Sequence, residues 1–134
     1  MYLLDTNILL ELLLEQEHSS DVERLFAGIP AERFSITDFT LYSMGIILFR
    51  RRRSDVFVQI VDDLLLEADV NLIRLGPADM KRVEQIAHLF RLDFDDAYQY
   101  VAAEEYGLTL VSFDTDFDRT ERGRKTPAQV LSAR

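Results

Sequence analysis

The stretch LDFDDA at residues 92–97 decides the predicted fold, together with MYLLDTN at residues 1–7 and VSFDTDF at residues 111–117. Each stretch places an aspartate at the boundary of a predicted element. Asp5 ends a short apolar run, Asp96 lies in the first turn of a predicted helix, and Asp114 follows a second apolar run. We therefore expect the rest of the chain to form a scaffold that brings these three acids together.

Acids at the ends of strands indicate a ligand site in an open α/β sheet. In such a sheet the carboxyl ends of the strands form a crevice where the strand order reverses, and ligands bind there. Several carboxylates in one crevice repel each other unless a proton or a divalent cation neutralises them. Because Mg²⁺ and Mn²⁺ prefer oxygen ligands, the pattern predicts a site for either metal.

The composition limits the class of protein. The chain has 134 residues, of which 48% are hydrophobic, so we expect one domain, residues 1–134, with a sizeable core. The net charge of −9 makes the chain a poor general match for nucleic acid, so a nucleic-acid site must be a local basic rim or include a metal. The lack of cysteine excludes disulfides and thiolate metal sites. We see no apolar leader or spanning segment and expect a soluble, cytoplasmic protein.

Predicted strands alternate with predicted helices along the chain. Four short apolar runs, bounded by turn signals, predict strands at Tyr2–Leu4, Phe34–Ile36, Val70–Leu75 and Leu108–Phe113. Helices with apolar stripes lie between them. This alternation implies βαβ units, so the predicted fold is a three-layer α/β/α domain with a central, mostly parallel sheet.

Capping residues predict the limits of the helices. Thr6 or Asn7 is expected to cap a first helix that runs to about Glu17, and Ser20-x-x-Glu23 has the pattern of a capping box for the second helix. Gly107 is placed to end a late helix. Further helix starts are predicted at Thr37 or Asp38, Ser54, Pro77, Asp93 or Asp95, and Thr126.

Two basic segments are candidates for contact with phosphate. The run Arg50–Arg53 has the highest density of positive charge, but cations at the end of a helix are favourable without any ligand. The second segment directly follows the Asp114 loop and is better placed to guide an RNA backbone towards the acids. It contains Arg119, Arg122, Arg124 and Lys125.

Two other kinds of metal site are excluded by spacing. Asp114-x-Asp116-x-Asp118 resembles the start of an EF-hand loop, but the sixth position is Arg119 instead of Gly and the twelfth is Lys125 instead of Glu. The histidines, at positions 18 and 88, are far apart in sequence and belong to no zinc motif.

The three acidic stretches together resemble the signature of PIN domains, and the chain is most similar to the small, single-domain toxin nucleases of VapC type. The resemblance rests on LDTNIL at residues 4–9, Asp96-Ala97 at the start of a late helix, and SFDTDF at residues 112–117. It spans nearly the whole chain in the order of the family. It implies a parallel sheet in which strands 2 and 3 lie on one side of strand 1 and strand 4 lies on the other.

The resemblance also implies metal-dependent cleavage of RNA phosphodiesters. On this basis Asp5, Asp96 and Asp114 would hold one or two Mg²⁺ or Mn²⁺ ions, and Asp116 would be a secondary ligand. Thr6 and Asn7 would support the site as part of the first motif, and Ser43 would support it from the helix after strand 2. The metal would polarise the scissile phosphate and lower the pKa of a bound water.

One position departs from the family pattern. The family usually has a Glu in a Thr-x-x-Glu context in the helix after strand 2, where this chain has Thr40 and Ser43. Asp38 lies about 140° around the helix from Ser43, so its carboxylate is a poor substitute for the missing Glu. Two interpretations stay open: an active endoribonuclease with three core carboxylates, or a PIN-fold RNA- or protein-binding regulatory module that has lost catalysis. A third interpretation is a receiver-like phosphoacceptor domain, which would need a Lys near the acids after a late strand. Lys125 follows the fourth strand at too great a distance to fill this role.

Partners are expected with either PIN interpretation. The apolar helix faces exceed what one monomer is expected to bury, and the resemblance implies a homodimer. For a toxin of a type II toxin–antitoxin pair, it also implies an antitoxin that blocks the acidic cleft, with RNA as the substrate.

Overall fold

A four-stranded parallel sheet forms the centre of the molecule. The computed structural model describes residues 1–133, with strands β1 (Tyr2–Leu4), β2 (Phe34–Thr37), β3 (Asn71–Ile73) and β4 (Thr109–Val111). The strand order is β3-β2-β1-β4, and every pair of neighbours is parallel. The predicted topology is thus confirmed, with β2 and β3 on one side of β1 and β4 on the other.

Helices cover both faces of the sheet. They are α1 (Thr6–Leu13), α2 (Ser19–Gly28), α3 (Asp38–Arg50), α4 (Ser54–Ile60), α5 (Met80–Phe90), α6 (Phe94–Tyr106) and α7 (Pro127–Ser132). Short 3₁₀ turns lie at Ala31–Arg33, Pro77–Asp79 and Thr115–Arg119, and a π-helix at Val61–Glu67 continues α4. No helix within residues 1–133 combines the length and the apolar character that a membrane span requires.

Each face of the sheet has its own buried core because successive strand residues point to opposite faces. Leu3 and Leu110 belong to the core beneath α5 and α6. Their neighbours Leu4 and Val111 belong to the core on the other face, beneath α1, α2, α3 and α7. The three-layer α/β/α prediction is therefore confirmed.

Several predicted ends of strands and helices are wrong. Strands β3 and β4 are shorter than predicted because few residues of the neighbouring strands pair with them. β3 spans Asn71–Ile73 instead of Val70–Leu75, because only Ser35–Thr37 of β2 pairs with it. β4 spans Thr109–Val111 instead of Leu108–Phe113, because the three residues of β1 pair with these three.

The first two helices also differ from the prediction. α1 ends at Leu13 instead of about Glu17, and Glu15 adopts a left-handed conformation (φ 49°) that interrupts the helix. α2 begins at Ser19 with His18 as its N-cap residue, so Ser20 lies inside the first turn and the predicted capping box is wrong. Other caps are confirmed, including Gly107, whose left-handed φ of 66° ends α6.

Candidate functional site

Asp5 lies at the end of β1 and caps α1. Its backbone N–H donates to Val111 O at 2.9 Å, which continues the ladder between β1 and β4. Its Oδ1 accepts a hydrogen bond of 2.8 Å from Thr6 N, so Asp5 is the N-cap, and the predicted cap at Thr6 or Asn7 is wrong. The residue is only 7% exposed. The strand end and the helix start therefore hold this carboxylate in one position.

Ser112 ties the ends of β1 and β4 together. Its hydroxyl donates to Asp5 Oδ2 at 2.7 Å and accepts from Asp114 N at 2.9 Å. Asn7 Nδ2 also donates to Ser112 Oγ (3.2 Å), while Asn7 Oδ1 accepts from the Phe113 N–H (3.3 Å). These bonds fix the path of the chain into the Asp114 loop and bring Asp114 to the strand end that carries Asp5.

Three acids come together beside Asp5. One carboxylate oxygen from each of Asp96, Asp114 and Asp116 lies within 4.8 Å of the other two. Asp96 is in the first turn of α6, as predicted. Asp114 caps the 3₁₀ turn at Thr115–Arg119 by accepting from Asp116 N at 2.8 Å, and this turn brings Asp116 into the group.

The main residues of this site line one pocket of about 290 Å³. Asp5, Asp96 and Asp114 all line it. The predicted supporting residues Thr6, Asn7 and Ser43 line it as well. The described structure thus gathers residues from β1, α1, α3, α6 and the loop after β4 in one place.

Four aspartates and no basic side chain are among the described residues that line the pocket. Burial, together with the negative charges of Asp95, Asp114 and Asp5, raises the pKa of Asp96 to about 8. Burial also raises the pKa of Asp5, although hydrogen bonds from Ser112, Gln99 and Thr6 oppose this effect. A proton on Asp96 relieves the repulsion, and a divalent cation would relieve it more fully. Because the available donors are carboxylate oxygens, the site fits Mg²⁺ or Mn²⁺.

Gln99 belongs to this site and was not predicted. Its Nε2 donates to Asp5 Oδ1 at 3.1 Å and to Thr40 Oγ1 at 2.8 Å, and its Oε1 accepts from Thr37 Oγ1 at 2.8 Å. The Thr40 hydroxyl also bonds to the Thr6 hydroxyl at 2.9 Å. The available signal was a lone amide one helical turn after Asp96, within a run of small and aromatic residues.

Ser43 lies at the pocket but adds no charge. It is half-buried and lies three residues after Thr40 on α3. Asp38, at the start of the same helix, accepts a hydrogen bond of 2.7 Å from the Tyr98 hydroxyl. The pocket around the acids therefore lacks a carboxylate from α3.

The predicted RNA-binding segment packs against the β4 edge, and its arginines have partners within the chain. Arg119 donates to Asp116 Oδ1 at 3.0 Å and to the carbonyls of residues 90 and 91. Arg122 donates to the carbonyls of residues 103 and 108. Arg124, only 13% exposed, pairs with Asp118, while Lys125 is exposed. Among residues 1–133, Arg119 is thus the cation that hydrogen-bonds to the acidic cluster.

Comparisons with known proteins show the family and the fold. A family model described as PIN domain matches residues 2–123. Among solved structures, a toxin–antitoxin complex from Klebsiella pneumoniae is similar, with 19% identity, a TM-score of 0.75, and coverage of 95% of this chain and 98% of that chain. The sarcin–ricin-loop-cleaving toxin VapC20 from Mycobacterium tuberculosis is also 19% identical, with a TM-score of 0.69 and coverage of 88% and 93%.

A third similar structure is FitAcB from Neisseria gonorrhoeae, with 19% identity, a TM-score of 0.74, and coverage of 96% of this chain and 99% of that chain. At such identities the likeness concerns the fold. No curated protein sequence matches the chain.

Proposed function

The chain belongs to the PIN domain family, and we propose that it is a metal-dependent endoribonuclease that acts as the toxin of a type II toxin–antitoxin pair. The observation that carries this proposal is the shared pocket of Asp5, Asp96 and Asp114. Similar solved structures include a toxin described as cleaving the sarcin–ricin loop, which supports RNA as the substrate class. Such an enzyme would act in the cytoplasm.

Asp96, Asp114 and Asp116 would hold the metal, and Asp5 would be a further ligand at the inner wall of the pocket. When bound, Mg²⁺ or Mn²⁺ polarises a phosphate and lowers the pKa of a bound water. The chain's own contribution is positional: Ser112 links Asp5 to the backbone of Asp114, so the acids keep their spacing as RNA enters. In the absence of a cation, Asp96 holds a proton at neutral pH because its pKa is raised.

The segment from Arg119 to Lys125 remains our proposed RNA contact. Arg119 is favoured because its guanidinium touches Asp116 and its side chain is 38% exposed. Lys125 is favoured because it is exposed. Arg122 donates to the carbonyls of residues 103 and 108, and Arg124 donates to the Asp118 carboxylate and to the carbonyl of residue 112. Their contribution would therefore be to shape the loop that presents the other two.

Two protein partners are part of the proposal. The toxin–antitoxin complexes among the similar structures support an antitoxin, which would place a basic side chain in the acidic pocket. A homodimer is supported by an apolar groove of about 410 Å³ on α3 and α4, lined by Tyr42, Gly45, Ile46, Phe49 and Phe57. Exposed apolar patches of this kind mark interaction surfaces.

Charge favours a second copy as the occupant of this groove. Helix α3 begins with Asp38 and ends with Arg50, followed by three more arginines. In a two-fold, antiparallel contact through Ile46, the basic end of each α3 would face the acidic end of the other.

Cleavage of RNA tests the central proposal. Purified protein should cleave total RNA with Mn²⁺ or Mg²⁺ and should lose this activity with EDTA. Asp114→Asn should reduce cleavage by a hundredfold or more, whereas Asp118→Asn, on the same loop but paired with Arg124, should retain it. Cleavage that persists in Asp114→Asn would overturn the site assignment.

A second candidate function is favoured by Ser43. The pocket has a neutral hydroxyl at the position where the family usually carries an acid, so the chain could be a PIN-fold RNA- or protein-binding module without turnover. This candidate predicts RNA binding without cleavage in the wild type, and cleavage gained by Ser43→Glu. Cleavage by the wild type at a rate equal to that of Ser43→Glu would exclude it.

A further inference from the structure

Gln99 is a buried amide in the middle of an otherwise apolar helix face. It is 1% exposed and lies three residues after Asp96 on α6, between buried residues of the core. A buried amide is costly unless both its donor and its acceptor groups find partners. All of its polar atoms do, and one of the partners is the carboxylate of Asp5.

The surroundings allow one orientation of this amide. When it binds a metal, Asp5 is an ionised carboxylate, which only accepts hydrogen bonds, so the NH₂ group must face it. The carbonyl group then faces Thr37, whose hydroxyl donates to it at 2.8 Å. Thr40 accepts the second N–H at 2.8 Å. The amide is thus held on both sides, and its bond to Asp5 is directed by the fold.

The hydrogen bonds limit what Asp5 can offer to a ligand. A carboxylate has about four acceptor positions. Within residues 1–133, Oδ1 accepts two hydrogen bonds, from Thr6 N and Gln99 Nε2, and Oδ2 accepts one, from Ser112. About one acceptor position is therefore left, and it is on Oδ2.

We propose that Gln99 is a positioning residue that fills Oδ1 of Asp5 and so restricts Asp5 to a single-oxygen contact with the metal. The inference rests on the proposed function, since it concerns the same metal site. Asp5 would bind through Oδ2 alone, and the remaining charge would come from Asp96, Asp114 and Asp116. Gln99 is neutral, so it orders the site without adding to the repulsion among these acids.

Calorimetric titration with Mn²⁺ tests this proposal. Gln99→Met keeps the length and apolar body of the side chain but removes the donor, and we expect Mn²⁺ affinity to fall by about tenfold or more. In an Asp5→Asn background the same substitution should cause no further loss. Gln85→Met, at an exposed position on α5, is the control and should bind as the wild type does.

The outcomes separate this proposal from the one on which it rests. Wild-type protein that binds no Mn²⁺ would overturn the metal site and this inference with it. Wild-type binding with an unchanged affinity in Gln99→Met would overturn only the role of Gln99. An equal loss in the wild-type and Asp5→Asn backgrounds would also overturn it, because the effect would then be one of general packing.

A measurement on the wild type keeps the test valid if Gln99→Met does not fold. The side-chain NH₂ resonances of Gln99 should shift when Mg²⁺ is added, because the bonded carboxylate gains a cation. Those of Gln85 should not move. Unchanged Gln99 resonances at saturating Mg²⁺ would contradict the proposal.

Discussion

The Ser112 hydroxyl donates a hydrogen bond of 2.7 Å to Asp5 Oδ2, although 107 residues separate the two in sequence. Ser112 is completely buried, and Asp5 nearly so. The bond joins the carboxyl ends of β1 and β4, which are neighbours in the sheet. The site therefore depends on the strand order as much as on the acids themselves.

Ser112→Ala should destabilise the protein. The substitution leaves a buried carboxylate oxygen and the Asp114 N–H without this partner, so we expect the free energy of unfolding to fall by about 1–3 kcal/mol. Urea denaturation followed by circular dichroism measures it. Ser132→Ala, at an exposed position of α7, is the matched control and should change stability by less than about 0.5 kcal/mol. Equal stability of the two variants would contradict this account of the Asp5–Ser112 bond.

The pKa of Asp96 predicts how stability depends on pH in metal-free protein. This pKa is about 8 in the folded state, against an ordinary value of 3.8. Between these values the folded state binds more protons than the unfolded state, so the free energy of unfolding falls as pH rises. The stabilisation from protonated Asp96 is complete when the pH is below 3.8, and it is lost as the pH rises through about 8.

Asp96→Asn should remove this loss because the amide stays neutral at every pH. Thermal unfolding in EDTA should give the variant a higher Tm than the wild type at pH 8.5, and a smaller difference at pH 5. Asp62→Asn, at an exposed position of the π-helix, serves as the control and should follow the wild type. Parallel pH profiles for Asp96→Asn and the wild type would show that Asp96 is not the titrating group.

The apolar groove on α3 and α4 predicts a dimer that one charge can break. Ile46 is 53% exposed at its centre, between Tyr42 and Phe49. Light scattering after size exclusion should show a dimer for the wild type and a monomer for Ile46→Glu. Leu89→Glu is the control, because Leu89 is 66% exposed on α5, outside the groove. A wild-type monomer at high micromolar concentration would refute the homodimer.

The α/β class and the places of the three main acids could be predicted from the sequence because their signals are local. Asp5 and Asp114 each follow an apolar run, and Asp96 lies in the first turn of a helix. The parallel register of β1 with β4 then brings the first two together. The sheet order itself came from the family resemblance, and the structure confirms it.

Gln99 could not be predicted because its role depends on partners far away in sequence. It is 94 residues from Asp5, 62 from Thr37 and 59 from Thr40. A polar residue in a helix is usually assigned to the solvent face, and only the packing of α6 on the sheet shows that this one is buried. The π-helix at Val61–Glu67 could not be predicted for a different reason: its apolar spacing also fits an α-helix.

Binding of Mn²⁺, followed by the loss of the free-ion signal in electron paramagnetic resonance, tests the central claim most directly. The account predicts saturable binding by the wild type, at least tenfold weaker binding by Asp114→Asn, and unchanged binding by Asp118→Asn. This result would place the cation among the acids at the ends of β1 and β4. Mn²⁺ that stays free at millimolar concentration, or that binds Asp114→Asn as tightly as the wild type, would contradict it.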